Sequence, residues 1–455
     1  MKFSVDRDAL AEAASWVSRA LPARPVIPVL SGLMVRAADG LTLSCFDYEI
    51  SARVRVAAEV AEPGAALVPG RLLAEITRSL PGLPAEFADD PDGISLTCGS
   101  ASFTLVTLPA AEYPDLPGLP QVAGTVDGGV LAAAIGQVVP AASRDDTLPM
   151  LTGVNIEVDG ETMTLAATDR YRLAVRELRW DPGQPRARAS FLVPARTLAE
   201  AARTMAAGAP VTIRVRGEPG GDDAMIGFET GDRCLATRLI AGEFIKYRSR
   251  FPGEFGCRAS LPAGPFTEAV RRVSLVAGRG SAVRLAFGGG RVTIEAGTDG
   301  RARARETVPA DFEGAEPVIA FSPHYLLDGL TAAAAETAGR PEANGSAAGV
   351  DHQPDGDHQP DGDHQEAVRD RGGHGASPCG DARIVMEFTS AARPAVITGL
   401  RARGLTGPGG GNGDGAALGE RGAPGHGAAG TDAPGVPAGP HFRYLVVPLR
   451  PPARR

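Results

Sequence analysis

Within Thr168-Asp169-Arg170-Tyr171-Arg172 a carboxylate, a phenol and a guanidinium sit close together. Such a trio can move a proton and hold an anion, the elementary equipment of an acid–base enzyme. The reading weakens on comparison within the chain. Asp47 follows Thr42-Leu43-Ser44-Cys45-Phe46, and Asp299 follows Thr293-Ile294-Glu295-Ala296-Gly297-Thr298, in the same sequence context as Asp169. An aspartate that recurs between two β-like runs is accounted for by a turn, its carboxylate accepting nearby backbone N–H groups. An enzyme built on Asp169, Tyr171 and Arg172 is therefore kept only as the minor alternative.

Other centres are excluded by residues the chain lacks. Its lysines are Lys2 and Lys246, and neither follows a glycine-rich loop, so a phosphate-gripping P-loop is ruled out. No histidine precedes His324, so the first 323 residues cannot assemble a Ser-His-Asp, Cys-His or His-metal centre from their own side chains. His352, His358 and His364 recur every six residues within Asp-His-Gln-Pro-Asp-Gly repeats. A solvated linker is preferred there over a metal site, because a flexible run offers no preformed coordination geometry. Cys45, Cys98, Cys234, Cys257 and Cys379 are scattered without a CxxC pair, which suits a reducing compartment better than a disulfide framework. No metal and no cofactor is expected.

The formal net charge of -8 gives no global basic field. It leaves room for a protein that is acidic outside and locally basic within. The first eight residues lack the apolar core of a signal peptide, and no apolar run reaches the roughly 18 residues needed to span a bilayer. A cytoplasmic protein with no membrane partner is expected.

The elements that position these residues repeat three times. Leu67-Val68-Pro69-Gly70-Arg71-Leu72-Leu73 returns as Leu192-Val193-Pro194-Ala195-Arg196-Thr197-Leu198, and more loosely as Ala320-Phe321-Ser322-Pro323-His324-Tyr325-Leu326. Each reads as a strand end, a proline near the helix start, then a helix with apolar residues three and four apart. The aspartate-centred hairpins keep the same register, and helical patterns at 8–17, 130–139 and 266–276 open each unit. Two helices backed by antiparallel sheet would bury both apolar faces of each unit. The expected architecture is α+β: three similar domains at 1–122, 123–254 and 255–455. Disordered insertions are expected in the third at about 336–381 and 403–440, where Gly, Pro, Ala and charged residues replace core formers.

Four segments in this order resemble the bacterial DNA polymerase III β subunit, the β sliding clamp family. They are Met1-Lys2-Phe3 with Arg24-Pro25-Val26-Ile27-Pro28-Val29-Leu30; Phe103-Thr104-Leu105-Val106-Thr107-Leu108-Pro109 with Glu112-Tyr113-Pro114; Ala167 to Val175; and Tyr444-Leu445-Val446-Val447-Pro448-Leu449-Arg450. The resemblance implies the DNA clamp fold and a ring-shaped head-to-tail homodimer around duplex DNA. It also implies a non-catalytic role tethering the replicative polymerase, the clamp loader and other proteins that carry a clamp-binding motif.

Site residues follow from the same resemblance. Arg24 and Arg144 lie in loops whose family counterparts approach DNA. Arg71, Arg78, Arg196 and Arg203, spaced by seven on two helices, are further candidates for sequence-independent phosphate contact. The alternative for the helix pairs is an ordinary ion-pair pattern with Glu75 and Glu200. A peptide-binding pocket between the second and third domains would be walled by Leu151, Thr168, Tyr171, Arg172, Leu173, Ile245, Arg250, Pro394, Leu445, Val447, Pro448, Leu449 and Arg450. The dimer joint would pair Phe103 and Leu105 with the region of Leu275. Ile245 stands where the family usually has proline, and Arg250 where an apolar residue is common. These departures motivate an alternative: a divergent second clamp copy with an altered, inhibitor-resistant pocket.

Overall fold

The computed structural model describes residues 1–184, 186–217, 221, 223–278, 280–298, 301–337, 382–400 and 442–449. Six helices occur among them: α1 (Arg7–Ser18), α2 (Gly70–Ser79), α3 (Gly128–Val138), α4 (Ala195–Ala202), α5 (Ala263–Ser274) and α6 (Pro323–Thr337). They pack in the pairs α1/α2, α3/α4 and α5/α6, with α3 also meeting α6. Their starts follow local chemistry. Asp6 accepts the Ala9 N–H at 2.9 Å to cap α1, and Asp127 accepts the Val130 N–H at 2.9 Å to cap α3. By contrast α2, α4 and α5 begin directly after Pro69, Pro194 and Pro262, with no side-chain cap.

The aspartate-centred hairpins form as read. Strand Gly40–Phe46 pairs with Ile50–Val56, Thr162–Thr168 with Arg172–Arg179, and Arg291–Thr298 with Ala302–Pro309. Asp47 Oδ1 accepts the N–H groups of Glu49 and Ile50 at 3.0 and 2.7 Å, and Asp169 Oδ1 those of Tyr171 and Arg172 at 3.0 and 3.1 Å. Tyr48 (φ 75°) and Arg170 (φ 80°) occupy the left-handed region at the equivalent place in each turn. Two turns of the same geometry with unrelated side chains around them mark Asp169 as a turn former. Asp299 lies outside the described residues.

Strand pairing shows how the units join. Strand Ile50–Val56 of the first unit pairs with Arg233–Arg238 of the second, which makes one nine-stranded sheet. Strand Arg172–Arg179 of the second pairs with Phe442–Val446 of the third in another nine-stranded sheet. The first unit also carries a five-stranded sheet, and the third a four-stranded sheet. Among the described residues these two sheets pair with no strand of another unit. Strand Ala101–Leu105 edges the five-stranded sheet and strand Ala302–Pro309 edges the four-stranded one.

The core lies between helices and sheets, where Leu10, Leu73, Leu131, Leu198, Phe266 and Leu326 are fully buried. Gly329 permits the closest approach: a Cβ there would run into the ring of Tyr444 on the adjacent strand. Glu336, placed at the start of the first insertion by composition, instead ends α6. There it pairs with Arg176 at 2.7 Å and accepts the Phe442 N–H at 3.1 Å. The remainder of 336–381 past Thr337 and all of 403–440 lie outside the described residues, and strand Arg383–Phe388 resumes the sheet between them. No helix among the described residues is long and apolar enough to cross a membrane.

Candidate functional site

Two surfaces gather the candidate residues. The first is the helical side of the molecule. Helix α2 buries Leu73, Ala74, Ile76 and Thr77 and turns Arg71 and Arg78 outward; α4 buries Thr197, Leu198 and Ala201 and exposes Arg196 and Arg203. The alternative ion pairs with glutamates four residues on do not form among the described residues. Arg71 Nη2 donates instead to the carbonyls of Leu21 and Pro22 at 3.2 and 3.3 Å, which fastens α2 to the loop that carries Arg24. Glu200 pairs with Arg203 at 3.1 Å and with Arg19, at the end of α1, at 2.7 Å. Arg78 Nε folds back onto the Ala74 carbonyl at 3.0 Å. Arg24, Arg144 and Arg196 are exposed and make no hydrogen bond or ion pair among the described residues. A surface of tethered and free guanidinium groups attracts phosphates by charge and offers no fixed base-reading geometry.

The second surface is the seam between the second and third units. Alternation along Arg172–Arg179 sends Leu173 and Val175 to one face of the sheet and Arg172 and Arg176 to the other. On the first face Leu173, Val175, Leu445 and Val396 form an apolar cluster with Tyr247, against which Phe244, Ile245, Phe251, Phe255 and Val447 pack. Tyr247 is fixed beneath it by a 3.0 Å bond from its hydroxyl to Glu157, and burial pushes its phenol pKa up. Arg250 is exposed at the end of the short 3-10 turn Arg248–Arg250.

On the opposite face Arg172 is the organiser. Its Nε donates to Asp169 at 3.0 Å, its Nη1 pairs with Asp328 of α6, and its guanidinium lies 4.6 Å from the centre of the Tyr325 ring. Burial opposes this charge, but Tyr444, Asp328 and Asp169 hold the guanidinium protonated. The carboxylate and guanidinium of the supposed catalytic trio are thereby committed, Asp169 to its own turn and to Arg172, and Arg172 to Asp169 and to Asp328 of α6. Tyr171 is 52% exposed and stacks on Tyr325 at 6.0 Å. Its carbonyl accepts the Val447 N–H at 2.8 Å, and the Leu449 N–H reaches the Ala320 carbonyl at 2.7 Å. Thr168 is buried, its hydroxyl donating to the Arg172 carbonyl at 2.6 Å.

The structure thus brings Leu173, Ile245, Leu445 and Val447 together on one face, and Tyr171, Arg172 and the Val447–Leu449 segment around the start of α6. Leu151 is buried in a separate 3-10 turn, and Pro394 is half-buried just before strand Ala395–Leu400. Arg450 lies outside the described residues. Sequence reasoning missed Tyr325, which both Tyr171 and Arg172 touch, and the aromatics Phe244, Phe251 and Phe255. The signal for the latter was present: an aromatic-rich stretch that belongs to none of the three repeated elements. On edge strand Ala101–Leu105, Phe103 is half-buried and Leu105 points into its own core, while Leu275, just after α5, is 82% exposed.

No group of three or more His, Cys, Asp or Glu side chains that could hold a metal ion occurs among the described residues. Cys45, Cys98, Cys234 and Cys257 are buried free thiols.

The fold and these two surfaces define a repeat-built scaffold whose surfaces suit binding. Family models for the N-terminal, central and C-terminal domains of the DNA polymerase III beta subunit match residues 1–117, 125–246 and 248–339. The beta sliding clamp of Streptomyces coelicolor is 51% identical over 333 residues, covering 73% of this chain and 88% of the relative. The beta sliding clamp homolog GriR of Streptomyces muensis is 46% identical, with the same coverage. The crystal structure of the Bacillus subtilis DNA polymerase sliding clamp superposes with a TM-score of 0.75 at 23% identity, covering 99% of each chain. The chain belongs to the DNA polymerase III beta subunit family.

Proposed function

We propose that two copies of this chain join head to tail into a ring that encircles duplex DNA and tethers the replicative polymerase to it. The protein is a sliding clamp, a non-catalytic processivity factor. The observation that carries the ring is strand arithmetic. Both junctions inside the chain are nine-stranded sheets, while the first unit ends in five strands and the third in four. Edge strand Ala101–Leu105 laid beside Ala302–Pro309 of a second copy restores the same nine-stranded count and satisfies two open backbone edges. Each copy offers one sheet of each kind, so the contact is heterologous, and two such contacts close a ring of six units.

Within that ring the three modules are 1–122, 123–254 and 255–455, and Phe103, Leu105 and Leu275 lie at the joint. Arg24, Arg71, Arg78, Arg144, Arg196 and Arg203 face the duplex and hold it by charge alone, which leaves the ring free to slide. The seam between the second and third modules takes short peptides from polymerase, clamp loader and other DNA-processing partners. Apolar anchors enter the Leu173/Leu445 cluster, while Arg172, from the opposite face, holds the turn that presents the exposed Tyr171 ring. The predicted compartment is the cytoplasm, where buried thiols such as Cys45 stay reduced.

The decisive experiment is topological. Loaded protein should stay on a nicked circular plasmid through gel filtration in high salt and run off within minutes once the plasmid is cut. Equal loss from circular and linear DNA would sink the ring. A second reading, a specialised copy with an altered pocket, draws on Ile245, Arg250 and the similarity to GriR. The higher identity to the Streptomyces coelicolor clamp at equal coverage favours the general processivity role. Complementation of a clamp-deficient strain separates the two.

A further inference from the structure

The nine-stranded sheet shared by the first and second units carries arginines on the face turned away from the helices. In strands Gly32–Ala38, Gly40–Phe46 and Ile50–Val56, Leu33, Val35, Leu41, Leu43, Ala52 and Val54 are buried on the helix side. The alternate positions Arg36, Thr42, Ser44, Arg53 and Arg55 therefore take the outer face. Register sets Thr42 between Arg36 and Arg55, and Ser44 beside Arg53. Paired strands lie about 5 Å apart and alternate residues of one strand about 7 Å apart, so the three arginines stem from backbone sites about 7–12 Å from one another.

Arg36 and Arg55 are exposed, Arg53 is half-buried, and none of the three side chains has a hydrogen-bond or ion-pair partner among the described residues. Neighbouring arginines are committed: Arg214 to Glu229 and to the Pro120 carbonyl, Arg238 Nε to the Tyr48 carbonyl at 2.7 Å. The turn carboxylates Asp39 and Asp232 form no ion pair with any of the three. The second unit shows the contrast at the same register. There Glu157, Thr164 and Glu177 stand in a row, so the repeat keeps the threonine and inverts the charge on both sides of it. Both glutamates are neutralised, Glu157 by Arg248 and the Tyr247 hydroxyl, Glu177 by Arg443 at 3.6 Å. The first unit has the charge without the neutralising partners.

We propose that this outer face of the first unit docks an extended acidic segment of a partner protein. The site lies on the opposite side of the sheet from the helices and goes beyond the clamp reading, because it needs neither the ring nor the seam between the second and third units. Charge complementarity names the occupant. A guanidinium fork matches a carboxylate, and an extended chain with acidic residues at alternate positions repeats every 7 Å or so, as Arg53 and Arg55 do. Nucleic acid fits less well. Phe46, the one ring these three strands place on this face, is buried, which leaves bases nothing to stack on. Exposed ion pairs contribute little singly, so the site depends on the three arginines acting together and weakens with salt.

Fluorescence anisotropy on the full chain tests this with a labelled alternating Glu-Ser peptide, its Gln-Ser counterpart and single-stranded oligothymidylate as probes. The chain carries Arg24→Ala, Arg144→Ala and Arg196→Ala, so that the free cations of the helical side do not contribute. The Glu-Ser peptide should bind, lose affinity steeply with added salt, and outcompete the Gln-Ser peptide. Adding Arg36→Ser, Arg53→Ser and Arg55→Ser should weaken it at least about tenfold, whereas lysine at the same three positions should keep most of the affinity. Thermal unfolding checks each variant. Should the triple serine change unfold the first unit, Arg55→Glu at an exposed position makes the same comparison. Affinity unchanged in the folded serine or glutamate variant would overturn the site. Oligothymidylate that binds tighter than the acidic peptide, and is lost in the same variant, would overturn the peptide in favour of nucleic acid. Retention on nicked circular DNA, measured with the serine changes alone, should match wild type; its loss would place these arginines on the duplex and overturn the proposal, while wild-type failure there bears on the ring only.

Discussion

Asp169 and Arg172 illustrate how a residue's neighbours decide its chemistry. A carboxylate beside a guanidinium and a phenol is compatible with catalysis, but both polar ends of Arg172 are spent on Asp169 and Asp328, and Asp169 is spent on two backbone N–H groups. Burial has a comparable effect on the thiols. It pushes Cys45 up to about 12 and Cys234 up to about 11, from an ordinary 9.0. The folded state keeps these protons and the unfolded state releases them above 9, so the stabilisation is complete below pH 9 and is lost as pH rises toward 12. Burial also raises the phenols of Tyr113, Tyr247 and Tyr444, which extends the same loss to still higher pH. Denaturant melts at pH 8, 9.5 and 10.5 should show stability falling monotonically, and at pH 8 native Cys45 and Cys234 should resist alkylation. A flat profile from 8 to 10.5 would contradict the burial seen here.

At the scale of elements, the repeated proline–helix and aspartate–hairpin motifs were legible because each has a local cause. Proline near a helix start and aspartate in a turn need only neighbours within a few residues. Helix α6 shows where local causes stop. It extends to Thr337 because Glu336 meets Arg176 and Phe442 N–H, contacts that are remote in sequence and invisible to composition. Its packing against strand Phe442–Val446 depends on Gly329, where a side chain would strike the Tyr444 ring. Gly329→Ala should therefore destabilise the third unit by about 1–3 kcal/mol through overpacking, despite the better helix propensity of alanine. Thermal or urea unfolding reads this directly; a variant as stable as wild type would mean that α6 sits farther from the sheet.

Over the whole molecule, the units share sheets rather than merely touching, and the first unit's five-stranded sheet and the third unit's four-stranded sheet are left unjoined to another unit among the described residues. The free arginines give the molecule its proposed relation to DNA. Replacing Arg24, Arg144 and Arg196 together with alanine removes three partner-free cations without breaking an ion pair. The slope of log K against log salt for DNA binding should become shallower by about 2–3, with loss of affinity independent of base sequence. An unchanged slope would place these residues away from the phosphates. The fold should be unaffected, because none of the three side chains is buried.

What the sequence alone determined was everything with a short-range or periodic cause: three units, α+β in each, the turn role of Asp169, and the absence of histidine and P-loop chemistry from the first two units. The resemblance to the clamp family, carried by four local motifs, added the expected ring and its sites. Only the tertiary structure decided which face each residue takes at the seam. It sent Leu173 into the Leu445/Tyr247 cluster and Arg172 to Tyr325 and Asp328, and it left five strands at one end and four at the other. Those outcomes depend on strand registers between segments hundreds of residues apart. A register changes every side-chain direction when it slips by one residue, and no local pattern along the chain specifies it.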